Sequence, residues 1–321
     1  MFKNRANGLV SGYKHQVNAL KKVGVDFVER ADLNADILQL NVSWPRSRWL
    51  MWRMHRRGKP VIMYAHSTVE DSLGVFWYVK YVAGIWHWWL ASTYGKADIL
   101  ACPSEYTKKL MITKYGISAE KCRVVTNGVD TEKFVKSFDG RKQVRSELNA
   151  RERMIVGTVG LVVPRKGIDT FERVARTLTQ QLFVWVGSAF SKKQIPEIPK
   201  SGPGSNMVFT GFVPSVTDYL SAMDIFLFPS HEENQGIAIL EAASMGLPIV
   251  VRNLPAYEGW LVHGKNCLIA KSEDDFVKYV EQLAHDEQKR RTLGEAARKI
   301  AVANDLAVVG ERLQSIYSEL L

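Results

Sequence analysis

Two stretches of the chain combine side chains and backbone suited to an anionic, hydroxyl-rich ligand. One runs from Phe226 to Val250. An apolar run ends in Pro229-Ser230, the segment His231-Glu232-Glu233-Asn234-Gln235-Gly236 follows, and a helical pattern containing Glu241 leads to Gly246-Leu247-Pro248. Gly236 lets a loop close on a helix start, where first-turn N–H groups lack intrahelical acceptors and can serve hydroxyls or phosphate. Glu233 in the loop and Glu241 in the helix can sit along one wall of a cleft. The competing reading of an isolated pair at that spacing is solvated helix surface. The second stretch is Pro164-Arg165-Lys166-Gly167, where two cations at a strand-to-helix turn offer bidentate and point-charge contacts to phosphate. Its alternative is a solvated basic loop. His66 closes the run Tyr64-Ala65-His66; a lone histidine at a strand end is more often a satisfied structural residue. No Asp-x-Asp triplet supplies a metal site, so the expected chemistry needs neither metal nor cofactor. Cys102, Cys122 and Cys267 are odd in number and lack CxxC spacing, which excludes a disulfide framework and a zinc cluster and fits a reducing cytosol.

The elements that must hold these groups alternate in type. At 321 residues, with 46% hydrophobic and 24% charged residues, the chain is sized for two globular domains and is neither disordered nor fibrous. Strands are expected at 25–29, 37–42, 61–66, 99–103 and 124–127, with helices at 12–22, 46–57, 72–94 and 105–115. After a polar linker at 136–150, strands are expected at 155–160, 182–187, 208–212, 225–229 and 248–252. Helices fall at 168–179, 216–223 and 236–245, and the tail from 274 reads as helical throughout. This alternation is the signature of parallel sheets flanked by helices. It gives an α/β fold with an N-terminal domain at 1–136 and a C-terminal domain at 137–304. A last helix at about 305–321 is expected to pack back on the first. A doubly wound domain opens on its central strand, yet only Met1–Ala6 precede the glycine-containing turn Asn7–Gly12. No apolar run follows the N-terminal charges, so no signal peptide is expected.

The net charge of +10 is unevenly spread. Residues 1–135 carry 20 Lys and Arg against 11 Asp and Glu, whereas 136–321 carry 23 against 22. Seven of the nine tryptophans also fall in the first part (Trp44, Trp49, Trp52, Trp77, Trp86, Trp88 and Trp89). That half is built to meet an anionic surface, either a membrane or a nucleic acid. The apolar stretch 73–91 contains Lys80 and His87; Lys80, Gly84, His87 and Ala91 form one stripe, with Tyr78, Val82, Ile85 and Trp89 opposite. An amphipathic helix lying at a bilayer face is expected rather than a span. Arg53, Arg56 and Arg57, with Trp49 and Trp52, are the expected membrane contacts. The alternative is that these aromatics pack on the first sheet. A non-catalytic nucleic-acid-binding protein is the reading from another class, but no helix-turn-helix, RNA-binding sheet signature or zinc finger accompanies the charge.

The ordered set of motifs resembles the family-4 retaining nucleotide-sugar glycosyltransferases. It comprises Tyr64-Ala65-His66, Pro103-Ser104-Glu105, Asn127-Gly128-Val129-Asp130 with Phe134, Val159-Gly160, Pro164-Arg165-Lys166-Gly167, Gly187, Gly211-Phe212-Val213 and the Glu233…Glu241 block. The resemblance implies a GT-B fold, in which two Rossmann-like doubly wound domains face each other across a cleft. It further implies that Arg165 and Lys166 neutralise the donor diphosphate, that Phe212 and Val213 border the base, and that Glu241 binds the ribose. Glu233, with the Asn234-Gln235-Gly236 backbone, would contact the donor sugar, and His66 would position it. Gly8 and Gly12 could bring backbone N–H groups towards the diphosphate, and Gly12 and Gly160 count among the donor-binding residues. Many members carry arginine after the glycine corresponding to Gly160; Leu161 stands here, leaving Arg165 and Lys166 as the main phosphate cations.

Ser11-Gly12-Tyr13-Lys14-His15-Gln16, Tyr64–Asp71 and Gly160-Leu161 are similar to bacterial enzymes making diacylglycerol glycolipids. That implies UDP-glucose or UDP-galactose as donor, a lipid or glycolipid acceptor and a peripheral place at the cytoplasmic face of the membrane. A GDP-mannose donor, or a polysaccharide or phosphoinositol acceptor, is the alternative within the class.

Overall fold

The computed structural model describes residues 8–73, 78–188 and 205–321. They fold as two units, one of residues 9–128 with 306–321 and the other of residues 129–305.

In the N-terminal unit, β1 (Leu38–Leu40), β2 (Val61–Tyr64), β3 (Ile99–Cys102) and β4 (Cys122–Val124) form a parallel sheet in the order β1-β2-β3-β4. Successive side chains point to opposite faces, so apolar residues at every position of β2 and β3 feed two cores. Val61, Met63, Leu100 and Cys102 meet α2 (Pro45–His55), α4 (Val79–Tyr94) and α5 (Glu105–Thr113). Ile62, Tyr64, Ile99 and Ala101 meet α1 (Gly8–Lys22) and the C-terminal helix Leu306–Ser318. Between β2 and α4 lies the short helix α3 (Val69–Leu73); residues 74–77 of the expected helix 72–94, Trp77 among them, lie outside the described residues.

Three expectations for this region are corrected. No strand forms at 25–29: Val25 and Phe27 pack against the second core without a neighbouring ladder. The expected turn at 7–12 is helix from Gly8 onward, and Met1–Ala6 lie outside the described residues. The unit boundary falls after Gly128 rather than at 136. Val129 N–H donates to Asn304 O at 3.0 Å, Thr131 Oγ1 to Asp305 at 2.6 Å, and Ser244 Oγ to Phe134 O at 2.8 Å, tying 129–135 to the second unit.

The C-terminal unit opens with α6 (Phe138–Glu147) where a linker was expected. Val144 is buried, and Arg141 and Arg145 both reach Asp224, a partnership invisible to local sequence. The sheet contains β5 (Ile155–Val159), β6 (Leu182–Val186), β7 (Met207–Gly211), β8 (Ile225–Phe228), β9 (Ile249–Arg252) and β10 (Leu268–Ala270). All pairings are parallel, in the order β10-β9-β8-β5-β6-β7. Read from β7, this is the doubly wound order with its direction reversing between β5 and β8, where such sheets bind ligands beyond their carboxyl ends. The helices are α7 (Ile168–Thr177), α8 (Val216–Ala222), α9 (Ile237–Ser244), α10 (Glu273–His285) and α11 (Glu287–Ala303). The tail expected as continuous helix breaks at Asp286, whose carboxylate accepts from Lys289 N–H and caps α11, and again at Asn304–Asp305.

Candidate active site

At the carboxyl end of β5 the chain turns at Gly160, whose N–H donates to Val186 O and whose carbonyl accepts from Trp185 Nε1, both at 2.9 Å. A Cβ on Gly187 would lie 2.0 Å from that carbonyl, so only glycine lets the ends of β5 and β6 close together. The 3-10 turn Pro164–Lys166 follows, and Gly167 (φ 76°) starts α7. A Cβ there would lie 2.2 Å from Pro229 O, at the end of β8. The two loops that flank the reversal point are thereby pressed against one another.

This contact brings Arg165, Lys166 and Glu233 together. Lys166 Nζ pairs with Glu233 Oε1, and Arg165 Nη1 lies 3.5 Å from the same oxygen while donating to Glu232 O at 2.5 Å. His231 N–H donates to Arg165 O at 2.8 Å, and Lys166 Nζ sits 5.0 Å over the Phe228 ring. The side chains are 7% (Glu233), 12% (Arg165) and 16% (Lys166) exposed. Burial raises the Glu233 carboxyl pKa, but the charges of Lys166 and Arg165 outweigh it and hold the group below its ordinary value, ionised at neutral pH. A phosphate arriving at this buried cation pair would be neutralised by it, while the carboxylate it displaces would need new hydrogen-bond donors in exchange.

Glu241 sits on α9 in a different environment. Burial pushes its carboxyl up to about 7, with only Lys133 opposing. The loop before α9 holds Asn234, partly buried, and Gln235, buried; Gly236 (φ 91°) begins the helix with no side-chain cap. Beyond β7, Phe212 is 66% exposed while Val213 is buried. Phe212 is thus available to a ligand's flat face and Val213 is packing.

In the N-terminal unit, His66 follows β2. Desolvation lowers its pKa to about 4, so the ring is neutral. Its Nε2 faces Gln16 Nε2 at 3.1 Å and Asn41 Oδ1 at 3.2 Å, and its ring stacks on Tyr64 at 5.0 Å. Gly12 is the fifth residue of α1, where its N–H belongs to the helix ladder; the unpaired donors of a helix start belong to the residues ahead of it.

On α2, Trp49 and Trp52 are half exposed, and the guanidinium carbons of Arg53 and Arg56 lie 5.2 and 4.7 Å from their ring centroids; Arg57 just beyond is exposed. On α4 the outward face is Tyr78, Tyr81, Val82, Ile85 and Trp88. Trp89, expected there, turns inward: its Nε1 donates to Ser43 O at 2.6 Å, and Arg48 stacks on it at 4.7 Å. Among the described residues no helix is long and apolar enough to cross a membrane, and the three cysteines are free and buried.

Several supporting residues escaped the sequence reading. Arg252 on β9 joins Pro229 O, Thr170 and Glu273, and His231 pairs with Asp169 at 2.9 Å across the same loops. Their partners lie 21 to 82 residues away, beyond any local pattern.

Two helix-covered parallel sheets in one chain give the GT-B fold. The chain belongs to the group 1 glycosyl transferases, which match residues 140–300, and residues 20–133 match glycosyltransferase family 4. It is 28% identical to the processive diacylglycerol alpha-glucosyltransferase of Acholeplasma laidlawii, over 99% of this chain and 95% of that protein. It is 29% identical to the alpha-galactosylglucosyldiacylglycerol synthase of Streptococcus pneumoniae, over 78% of this chain and 70% of that protein. Among solved structures, Anabaena HepE in complex with UDP and glucose superposes with a TM-score of 0.77 at 18% identity, covering 95% of this chain and 81% of that one.

Proposed function

We propose that the protein is a retaining hexosyltransferase that moves glucose or galactose from a UDP-sugar onto diacylglycerol or monohexosyl-diacylglycerol at an anionic membrane face. The observation that carries this reading is the Arg165–Lys166–Glu233 cluster at the sheet's reversal point. It occurs in a chain that aligns nearly end to end with a diacylglycerol glucosyltransferase. In this reading the donor diphosphate takes Lys166 and Arg165 from Glu233, and the released carboxylate accepts hydrogen bonds from donor-sugar hydroxyls. Glu241 accepts from the ribose, Phe212 borders the base, the Asn234–Gly236 backbone adds donors, and neutral His66 orients the transferred sugar.

As the bond between the anomeric carbon and the β-phosphate oxygen breaks, its electron pair stays on the nucleoside diphosphate. Lys166 and Arg165 stabilise the growing charge. The acceptor hydroxyl attacks on the face the phosphate leaves, and its proton passes to that phosphate, so configuration is retained. The two cations do the electrostatic work for which other enzymes recruit a metal. The outward faces of α2 and α4 join basic and interfacial aromatic residues, the chemistry of a peripheral contact with anionic lipid on the cytoplasmic side.

A transfer panel tests this. UDP-glucose, UDP-galactose and GDP-mannose are offered with vesicles of diacylglycerol in anionic phospholipid, with and without EDTA, and the product anomer is read by NMR. The expected product is an α-linked glycolipid from a UDP-hexose, at a rate unchanged by EDTA. Transfer only from GDP-mannose, only to soluble saccharide, or only with added divalent metal overturns the corresponding part of the reading.

A further inference from the structure

His66 is held by a chain of side-chain hydrogen bonds that runs through the N-terminal unit to the last helix of the protein. Tyr317 Oη donates to Gln39 Oε1 at 2.5 Å, Gln39 Nε2 donates to Gln16 Oε1 at 3.1 Å, and Gln16 Nε2 lies 3.1 Å from His66 Nε2. Gln39 is the middle residue of β1, Gln16 is buried on α1, and Tyr317 comes from the C-terminal helix, 278 positions from Gln39. The Tyr64 ring, 5.0 Å from the imidazole and tilted only 12° from it, fixes the ring plane.

The chain has a direction. A carboxamide accepts at one end and donates at the other, so a donor at the start fixes every amide after it. Burial pushes the Tyr317 phenol well above its ordinary pKa, so its proton stays available. That proton occupies the Gln39 carbonyl, which turns the Gln39 amino group to the Gln16 carbonyl and the Gln16 amino group to His66. An amide –NH2 offers no lone pair, so His66 Nε2 must be the acceptor and the ring proton belongs on Nδ1. Asn41 Oδ1, 3.2 Å from the same nitrogen, would serve the opposite tautomer. Without the relay, the Gln16 amide could turn over and both tautomers would be served.

We propose that Gln16, Gln39 and Tyr317 are positioning residues that hold His66 in its Nδ1–H tautomer with Nε2 as acceptor, so that the C-terminal helix sets the hydrogen-bonding polarity of this histidine. The proposal rests on the reading of His66 as the group that orients the transferred sugar; the relay itself can be tested without turnover. A ring protonated at Nε2 would meet the Gln16 amino group donor to donor, which acts in the same direction as the burial that lowers its pKa.

The experiment is 15N NMR of the full chain labelled at histidine, with the His66 signals assigned by their loss in His66→Gln. At pH 7.5 the wild type should show a pyridine-type Nε2 and a pyrrole-type Nδ1. Tyr317→Phe removes only the hydroxyl and should move both signals towards the average of the two tautomers. It should also lower kcat for sugar transfer about fivefold at unchanged KM, the scale of one hydrogen bond. Gln16→Glu, which offers Nε2 an acceptor, should reverse the tautomer. A wild type protonated at Nε2, or either variant keeping the wild-type pattern, overturns the relay. A protein with the expected tautomer and its loss in Tyr317→Phe, but no sugar transfer, keeps the relay and removes the function.

Discussion

Glu233 and Glu241 share a side-chain type and lie eight positions apart, yet their surroundings push their carboxyls in opposite directions. Glu233 is ionised because two buried cations share its oxygen. Replacing it by Gln leaves Lys166 and Arg165 without their countercharge. This should cost roughly 1–3 kcal/mol of stability in urea unfolding and about a hundredfold or more in turnover. Near-normal turnover would remove Glu233 from the site. Glu241 has the reverse signature. Its folded pKa of about 7 lies above the unfolded value, so the folded state binds the proton more tightly. Stability is therefore unaffected below about pH 4.5, falls as pH rises towards 7, and stays reduced above that. Glu241→Gln should raise stability at pH 8 by on the order of 3 kcal/mol and leave it unchanged at pH 4. If this glutamate binds the ribose, the same variant loses donor affinity. Equal gains at both pH values would argue against a titrating carboxyl.

Along α2 and α4 the outward faces decide the kind of surface met. Leu50, Met51 and Met54 satisfy the core side of α2, so Trp49 and Trp52 with their stacked arginines are surplus to packing. The combined change of Arg53, Arg56 and Arg57 to Ser should weaken binding to anionic vesicles by about a hundredfold, from roughly 1 kcal/mol per arginine. Neutral vesicles and 0.5 M salt should largely erase the difference. Unchanged sedimentation of the triple variant with anionic vesicles would assign these residues to something other than lipid. The inward turn of Trp89 shows why helical spacing alone misplaced one member of the α4 face. Arg48 and the Ser43 carbonyl, both distant in sequence, capture its indole.

The N-terminal unit is completed by the far end of the chain. Leu306, Val309, Leu313 and Ile316 are buried against α1 and the N-terminal sheet, each worth roughly 1.5–3 kcal/mol of transfer free energy. Their sum rivals the stability of a typical domain. Deleting residues 306–321 should therefore yield a chain whose N-terminal unit exchanges its core amides within minutes by hydrogen-exchange mass spectrometry. The β5–β10 unit, which those residues do not enter, should remain protected. Equal protection in both units would show that the last helix is dispensable.

The parallel sheets, most strand positions and the Pro164–Gly167 and Glu233–Glu241 segments were legible from the sequence, because apolar runs and glycine-containing turns are local signals. What escaped it was long-range. The sequence could not show that α6 forms through Asp224, or that residues 129–135 are tied to Asn304, Asp305 and Ser244. Residue types and order determined which groups the protein owns. Tertiary packing alone decided their charge states, because a carboxyl or imidazole pKa is set by the burial and the partners that folding brings to it.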